Sequence, residues 1–304
     1  MQPWLLVHGG AARHKPLMIA PEIFDRHARR ARRDRAAASF ADHAFLLDYM
    51  IEGLLDRLDI VTRPFSQALD LGCHDGRLAR ALAERSINVV SCDAGLRFAK
   101  MAAGIQCDED RLPFADQSFD LVISAGVLDQ VNDLPGALAL IRRSLKPDGL
   151  FLGCFAGAGS LSQLRKGLIA ADLALGSRIG AYLHPMIDVR AAGDLLGRAG
   201  FVLTVADVEP LKVRYSNVLG LIRDLRGMAM TNLLAERSAP AFGKRRLAAL
   251  VDAFGEQADA DGKVTENFEL IYLTGWAPGP NQPQPARRGS GRQSLADSLR
   301  PSIK

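Results

Sequence analysis

The sequence predicts an α/β fold, a mostly parallel sheet with helices on both faces. Two observations carry this. From 67 to 155 the short apolar runs "QALDL", "NVVSC", "FDLVIS" and "LFLGCF" alternate with helical patterns, and such alternation builds βαβ units around a parallel sheet. Within it, "ALDLGCHDGRLARAL" (68–82) reads as a strand ending in Asp70, a turn holding Gly72 and Gly76, then a helix. Glycine lets a backbone turn sharply and approach a ligand, and a helix N-terminus offers free N–H groups.

Taken in order, residues 1–21 read as a flexible N-terminus. The opening "MQPWLLVHGGAARHKPL" is too weakly apolar for a secretory signal. Basic and free of acids, it has some transit-peptide character, but it reads better as a dispensable start with Met18 as the alternative initiator. Residues 22–60 form an N-terminal helical segment, in which Leu47, Ile51, Leu54, Leu55 and Leu58 share one helix face. Ahead of them "DRHARRARRDR" carries six arginines between Arg26 and Arg35. The plain expectation is a solvated face; the functional alternative is a docking patch for an acidic protein surface.

Residues 61–277 form the main domain, with helical excursions at 156–190 and 216–257. Strands are expected at 67–71, 88–92, 119–124 and 150–155, and helices at 76–85, 96–103 and 135–145. A short "IQC" segment precedes a loop, and "KPDG" (146–149) is a tight turn before a strand. A helix through "AAGDLLGRAG" stops at Gly200, followed by the strand "FVLTVADV" and, at 267–276, the strand "NFELIYLTGW". Residues 278–304, rich in Pro, Gly, Ser, Gln and Arg, cannot bury enough apolar surface to offset ordering entropy and read as a disordered tail.

Hydrophobic residues make up 48% and charged residues 24% of the 304, as in a soluble globular protein. No uncharged apolar run nears the roughly 18 residues of a membrane span. The tail beyond Trp276 holds five basic residues against Asp297 alone, which accounts for the whole formal net charge of +4. The rest is near neutral, so the composition gives no warrant for a nucleic-acid partner. Cys73, Cys92, Cys107 and Cys154 have no CxxC spacing and read as reduced thiols. All four fall at or near the carboxyl ends of expected strands, where small residues suit a crowded site; a metal or redox role is the alternative, although the spacing matches no metal motif.

Open α/β sheets bind ligands beyond the carboxyl ends of their strands. Asp70 and the turn 72–76 stand there, and Asp93 ends the second strand 17 residues after Gly76. A carboxylate at that point can accept from two ribose hydroxyls, and Asp108 and Glu109 after the third strand could meet an adenine amino group. Singly each has a plainer reading: a simple turn, an N-cap for 96–103, a surface acid. In this order and spacing they reinforce one another.

Together, "LDLGCHDG", "CD", "CDEDRLPFADQSFDLVIS" and "VNDLPGALALIRRSLKPDGLFLGCF" resemble class I methyltransferases, and within them the mitochondrial complex I assembly factor 5 family and its bacterial relatives. A carboxyl-methylating enzyme of biotin synthesis is a cousin. "IFDRHARRARRDRAA", "LLGRAGF", "VRYSNVLGLIRDLRGM" and "IYLTGW" extend the resemblance over roughly residues 22–276. It implies a Rossmann-like class I methyltransferase fold: a seven-stranded, mostly parallel sheet with an antiparallel last strand. It implies S-adenosylmethionine as cofactor, held by Asp70, Gly72, Cys73, His74, Gly76, Asp93, Asp108, Glu109 and Ser124. It implies modification of an arginine on a respiratory complex I subunit by hydroxylation rather than methylation. The protein would work in a bacterial cytoplasm or on the mitochondrial matrix side, peripheral to the membrane through its partner.

Two positions depart from the family pattern. His74 stands where relatives usually carry glycine, and its imidazole would crowd the amino-acid end of the cofactor. Asp129 and Gln130 stand before "VND", where an aromatic residue and often His or Gln is usual. Methyl transfer needs chiefly a nucleophile positioned near ~3 Å and a desolvated charge, so Asp129 is the one candidate catalytic residue, with a surface acid as the plainer reading. Three functions stand: an arginine-modifying enzyme of complex I assembly, a methyltransferase of a small carboxylic or phenolic metabolite, and a non-catalytic assembly chaperone with a decayed cofactor loop.

Overall fold

The computed structural model describes residues 22–236, 242–280 and 282; the expectations for 1–21 and most of the tail lie outside them. Among the described residues seven strands form one sheet: β1 (Gln67–Leu71), β2 (Asn88–Asp93), β3 (Ile105–Gln106), β4 (Phe119–Ala125), β5 (Leu145–Ala156), β6 (Val202–Tyr215) and β7 (Val264–Trp276). Their order is β3-β2-β1-β4-β5-β7-β6. β7 runs antiparallel to both β5 and β6, and the other pairings are parallel. The sequence order reverses between β1 and β4, so the crevice at their carboxyl ends is the ligand position of an open α/β sheet.

All seven residues of β4 are buried, the mark of a central strand covered on both faces. Its side chains alternate between two cores. Leu121, Ile123 and Ala125 join Leu150, Leu152 and Cys154 of β5 under α2 (Phe45–Asp59), α6 (Ser162–Ala174), α8 (Val218–Gly227) and α9 (Lys244–Gly255). Phe119 and Val122 join Phe151 and Phe155 under α5 (Leu134–Ser144) and α7 (Val189–Arg198). The buried face of α2 is Leu46, Leu47, Met50, Ile51, Leu54 and Leu58; Leu55, expected on it, is only half-buried and packs at its margin.

Local chemistry sets the boundaries. Asp133 caps α5 by accepting from the Gly136 amide at 2.8 Å, with Pro135 in the first turn. Gly200, at φ +88°, ends the segment after α7 in the left-handed conformation expected of a C′ glycine. The "KPDG" turn sits inside β5 rather than before it: Phe119 faces Leu145 and Leu121 faces Leu150, so residues 146–149 bulge out of the ladder. Among the described residues the 216–257 excursion contains the helices α8 and α9.

Candidate functional site

β1 delivers Asp70, 1% exposed, to the crevice. The chain then turns at Gly72, whose φ of +82° and 2.4 Å approach of a hypothetical Cβ to the Val127 side chain admit only glycine. The Gly72 and Cys73 amides both donate to the Cys92 carbonyl, tying the loop to β2. Gly76, at φ +79°, starts α3 (Arg77–Glu84). Asp93 ends β2 with its carboxylate buried. Asp70 and Asp93 lie in one desolvated site: burial first, and then the Asp93 charge, push the Asp70 carboxyl up to about 8. The Asp70 Oδ2 has no hydrogen-bond partner.

Three of the acids of this site are held by the N-terminal helix α1 (Arg26–Ala36). Arg33 grips Asp93 with two guanidinium nitrogens, Nε at 2.7 Å. Arg30 binds Asp108 at 2.6 Å, and Arg29 binds Glu109 bidentately at 2.6 and 2.7 Å. Arg26 extends the ladder to the neighbouring Asp110, also bidentately. Positions 26, 29, 30 and 33 are spaced i, i+3, i+4, i+7, one stripe of a helix. The solvated face and the acidic-partner patch expected here are both corrected: Arg29 and Arg33 are 4% and 2% exposed, and the acidic surface they dock on belongs to this chain. Spacing along one face was the available signal; the partners lie 60 to 84 residues away.

His74 completes the closure. Its φ of +48° is left-handed, a conformation that favours glycine. The ring is buried, stacked on Phe40 at 5.0 Å and edge-on to Phe98. Nε2 lies 3.1 Å from the Ala125 carbonyl and Nδ1 lies 3.3 Å from Arg33. A carbonyl requires a donor and a guanidinium an acceptor, so the ring is the neutral Nε2–H tautomer. Desolvation, then the Arg33 charge, hold its pKa down to about 3.

The other expected residues have definite places. Ser124 is fully buried and its hydroxyl donates to the Leu71 carbonyl at 2.8 Å, a strand-to-strand tie rather than a contact offered to a ligand. The cysteines are buried and free, with Cys73, Cys92 and Cys154 pushed up by burial; for Cys92 a neighbouring Cys107 contact acts first. Asp129 sits on the short turn Leu128–Gln130 after β4 and is buried, not the surface acid of the plainer reading. His184 lies 3.6 Å from it. His184 was not anticipated: nothing local in "AYLHPM" marks it, and only the tertiary fold brings it to Asp129.

A sheet of this order, with a glycine loop after β1 and a carboxylate at the end of β2, defines a class I methyltransferase-fold protein. Residues 69–153 match the methyltransferase domain family. Mitochondrial arginine-hydroxylase NDUFAF5 of Danio rerio is 34% identical over 285 residues, covering 90% of this chain and 89% of the relative. The Homo sapiens protein of the same name is 33% identical, with 90% and 83% covered. Malonyl-[acyl-carrier protein] O-methyltransferase of a Methylovorus strain is 32% identical, with 88% and 90% covered. Among solved structures, the YcgJ protein of Bacillus subtilis superposes with a TM-score of 0.52 at 17% identity, over 76% of this chain and 99% of that one. Phosphoethanolamine N-methyltransferase 2 of Haemonchus contortus, in complex with S-adenosyl-L-methionine, gives 0.51 at 17%, over 82% and 60%. These two bear on the fold alone. The chain belongs to the methyltransferase-fold family that contains the NDUFAF5 arginine-hydroxylases, with the malonyl-[acyl-carrier protein] O-methyltransferases as further relatives.

S-adenosylmethionine is the cofactor of this class, and the residues expected to hold it, the Gly72–Gly76 loop, Asp93, Asp108 and Glu109, stand at or just beyond the carboxyl ends of β1, β2 and β3. An ionised carboxylate offers about four acceptor sites. Asp93 has filled four, with Arg33 Nε and Nη2 and the amides of His74 and Gly95. With Arg33 in place Asp93 has no acceptor position left for a ribose hydroxyl, so a cofactor that uses Asp93 must displace Arg33.

Proposed function

We propose that this protein modifies an arginine side chain of a protein partner, a subunit of respiratory complex I, during assembly of that complex. Similarity to arginine-hydroxylases over about nine-tenths of both chains carries the reading, since it extends well beyond the common domain at 69–153. The modification is hydroxylation by analogy with those relatives, a C–H to C–OH conversion whose oxygen atom and two-electron oxidant come from a co-substrate such as dioxygen with a reductant, not from S-adenosylmethionine. The partner places the protein at the inner face of the respiratory membrane, in a bacterial cytoplasm or a mitochondrial matrix. None of the described helices is long and apolar enough to cross a membrane, which suits attachment through the partner. Mass spectrometry of complex I from a deletion strain tests this: one arginine loses the mass of one oxygen relative to wild type. An unchanged arginine pattern refutes it.

A second reading, methylation of a carboxylic substrate, is favoured by the malonyl-[acyl-carrier protein] O-methyltransferase relatives. Transfer of labelled methyl from S-adenosylmethionine to a malonyl thioester would select it. A third, an assembly chaperone without turnover, is favoured by the saturation of Asp93 by α1. Absence of cofactor binding at millimolar S-adenosylmethionine would select that one.

A further inference from the structure

Beyond the cofactor loop lies a carboxylate with no use in the fold. The Asp129 side chain is 1% exposed, and neither of its oxygens has a hydrogen-bond partner. His184 Nε2 faces it at 3.6 Å, beyond hydrogen-bond distance, and has no hydrogen-bond partner of its own. Burying a carboxylate without donors costs several kcal/mol, so a purely structural core would sooner carry a neutral side chain here. Both groups line a small closed cavity of about 20 Å³, together with Ser160, Tyr182, Met230 and Asn232.

That cavity is the blind end of something larger. Tyr182, Leu183, Met230 and Asn232 also line an open groove of about 490 Å³ with leucines, among them Leu164, Leu168 and Leu225, on its apolar wall and Arg32, Arg35 and Arg226 among its polar lining. Met230 has a third neighbour, a hollow of about 20 Å³ beside His74 and Gly126 at the cofactor loop. A single methionine thus stands where an outer groove, a buried carboxylate and the cofactor side meet. Methionine is unbranched and adaptable, a side chain suited to swing aside for an entering group. At the rim a guanidinium already docks: Arg32 donates to the Asn232 carbonyl.

We infer that Asp129, with His184 beside it, is the receptor for the guanidinium of the substrate arginine. This rests on the arginine reading above and names the residues that would select for it. A carboxylate with two free oxygens matches the planar fork of a guanidinium, which binds bidentately, whereas an ammonium is a point charge that leaves one prong unused. The aliphatic stem lies between the leucines, with Met230 displaced, and the methylenes nearest the guanidinium pass the His74 and Gly126 hollow. Asp129 is a substrate-binding residue here rather than a general base.

The test is calorimetric binding of N-acetyl-arginine amide and N-acetyl-lysine amide to the full chain and to Asp129→Asn, alongside thermal melting. The arginine probe is expected to bind wild type at least about tenfold more tightly than the lysine probe. Asp129→Asn should lose at least about tenfold in affinity for the arginine probe. Its melting temperature should be unchanged or raised, since an orphaned buried charge is removed; an Asp129 that merely braces His184 would instead melt lower when substituted. Arginine binding that survives Asp129→Asn, or equal binding of both probes, overturns the receptor assignment and leaves the arginine reading standing. No arginine binding by wild type, together with methyl transfer to a malonyl thioester, overturns the reading and the assignment together.

Discussion

Replacing Arg33 should make the cofactor bind more tightly. Ordinarily the loss of a buried, doubly bonded arginine beside a binding site weakens binding. Here Arg33 consumes two of the four acceptor positions of Asp93, at 2.7 Å through Nε, with both side chains essentially buried. Removing one member of a buried pair costs about 3–5 kcal/mol. Since a ribose that engages Asp93 must displace Arg33, a weaker Arg33–Asp93 pair appears directly as affinity, at about 1.4 kcal/mol per factor of ten. The ceiling is therefore on the order of 10²–10³-fold. Water reaching Asp93 in the variant, and the surviving Arg29 and Arg30 pairs, reduce the gain to about 10- to 100-fold. Isothermal titration of S-adenosylmethionine into wild type and Arg33→Ala at one ionic strength measures it. Arg85→Ala, which breaks an exposed pair with Asp59 far along the chain, is the control and should change nothing. Equal or weaker binding by Arg33→Ala, with circular dichroism unchanged, would refute the competition between α1 and the cofactor.

Three further outcomes follow from the same loop. His74→Gly removes a left-handed non-glycine residue and the imidazole wedged between Phe40 and Phe98; it should tighten S-adenosylmethionine binding in the same titration. Gly72→Ala forces a Cβ to 2.4 Å from the Val127 side chain at φ +82°; a melt should show destabilisation of about 1–3 kcal/mol, and cofactor binding should be lost. Folded Asp70 keeps its proton up to about pH 8, whereas the unfolded residue releases it near the usual ~3.9. Its contribution to stability is full below that value and is lost as pH rises through about 8. His74 works the other way: held down to about 3, its contribution is lost as pH falls below the usual ~6.5. The two oppose each other in mild acid, so only Asp70 acts from about pH 6.5 to 8. Wild type should lose stability across that window in urea titrations and Asp70→Asn should not; parallel curves would refute the assignment.

The strand, loop and helix around Asp70, and the acids closing β2 and β3, were legible because their signals are local. A five-residue apolar run, two glycines at turn positions and a capping Asp133 each declare themselves within a few residues. The antiparallel last strand was legible only through family resemblance. Non-local pairing was not legible. The stripe of Arg26, Arg29, Arg30 and Arg33 was visible as a pattern of cations, but a charged stripe reads as solvated unless its counter-charges are known to face it. Asp129 and His184 share that limit, lying 55 residues apart with no common motif. The bulge in β5 was hidden differently: "KPDG" has the composition of a turn and forms one, but the ladder resumes on its far side without leaving the strand.

The arginine stripe of α1 also bears on how this family can diverge. Asp93, Asp108 and Glu109 anchor the chain's own N-terminal helix, and under the proposed function they answer to a second requirement, cofactor recognition. Either alone is enough to keep the acids in place. A descendant whose glycine loop drifted until no cofactor could enter would still be selected to retain all three. The arginines of α1 are bound by the same bargain, so helix and acids should be inherited, or lost, as one unit.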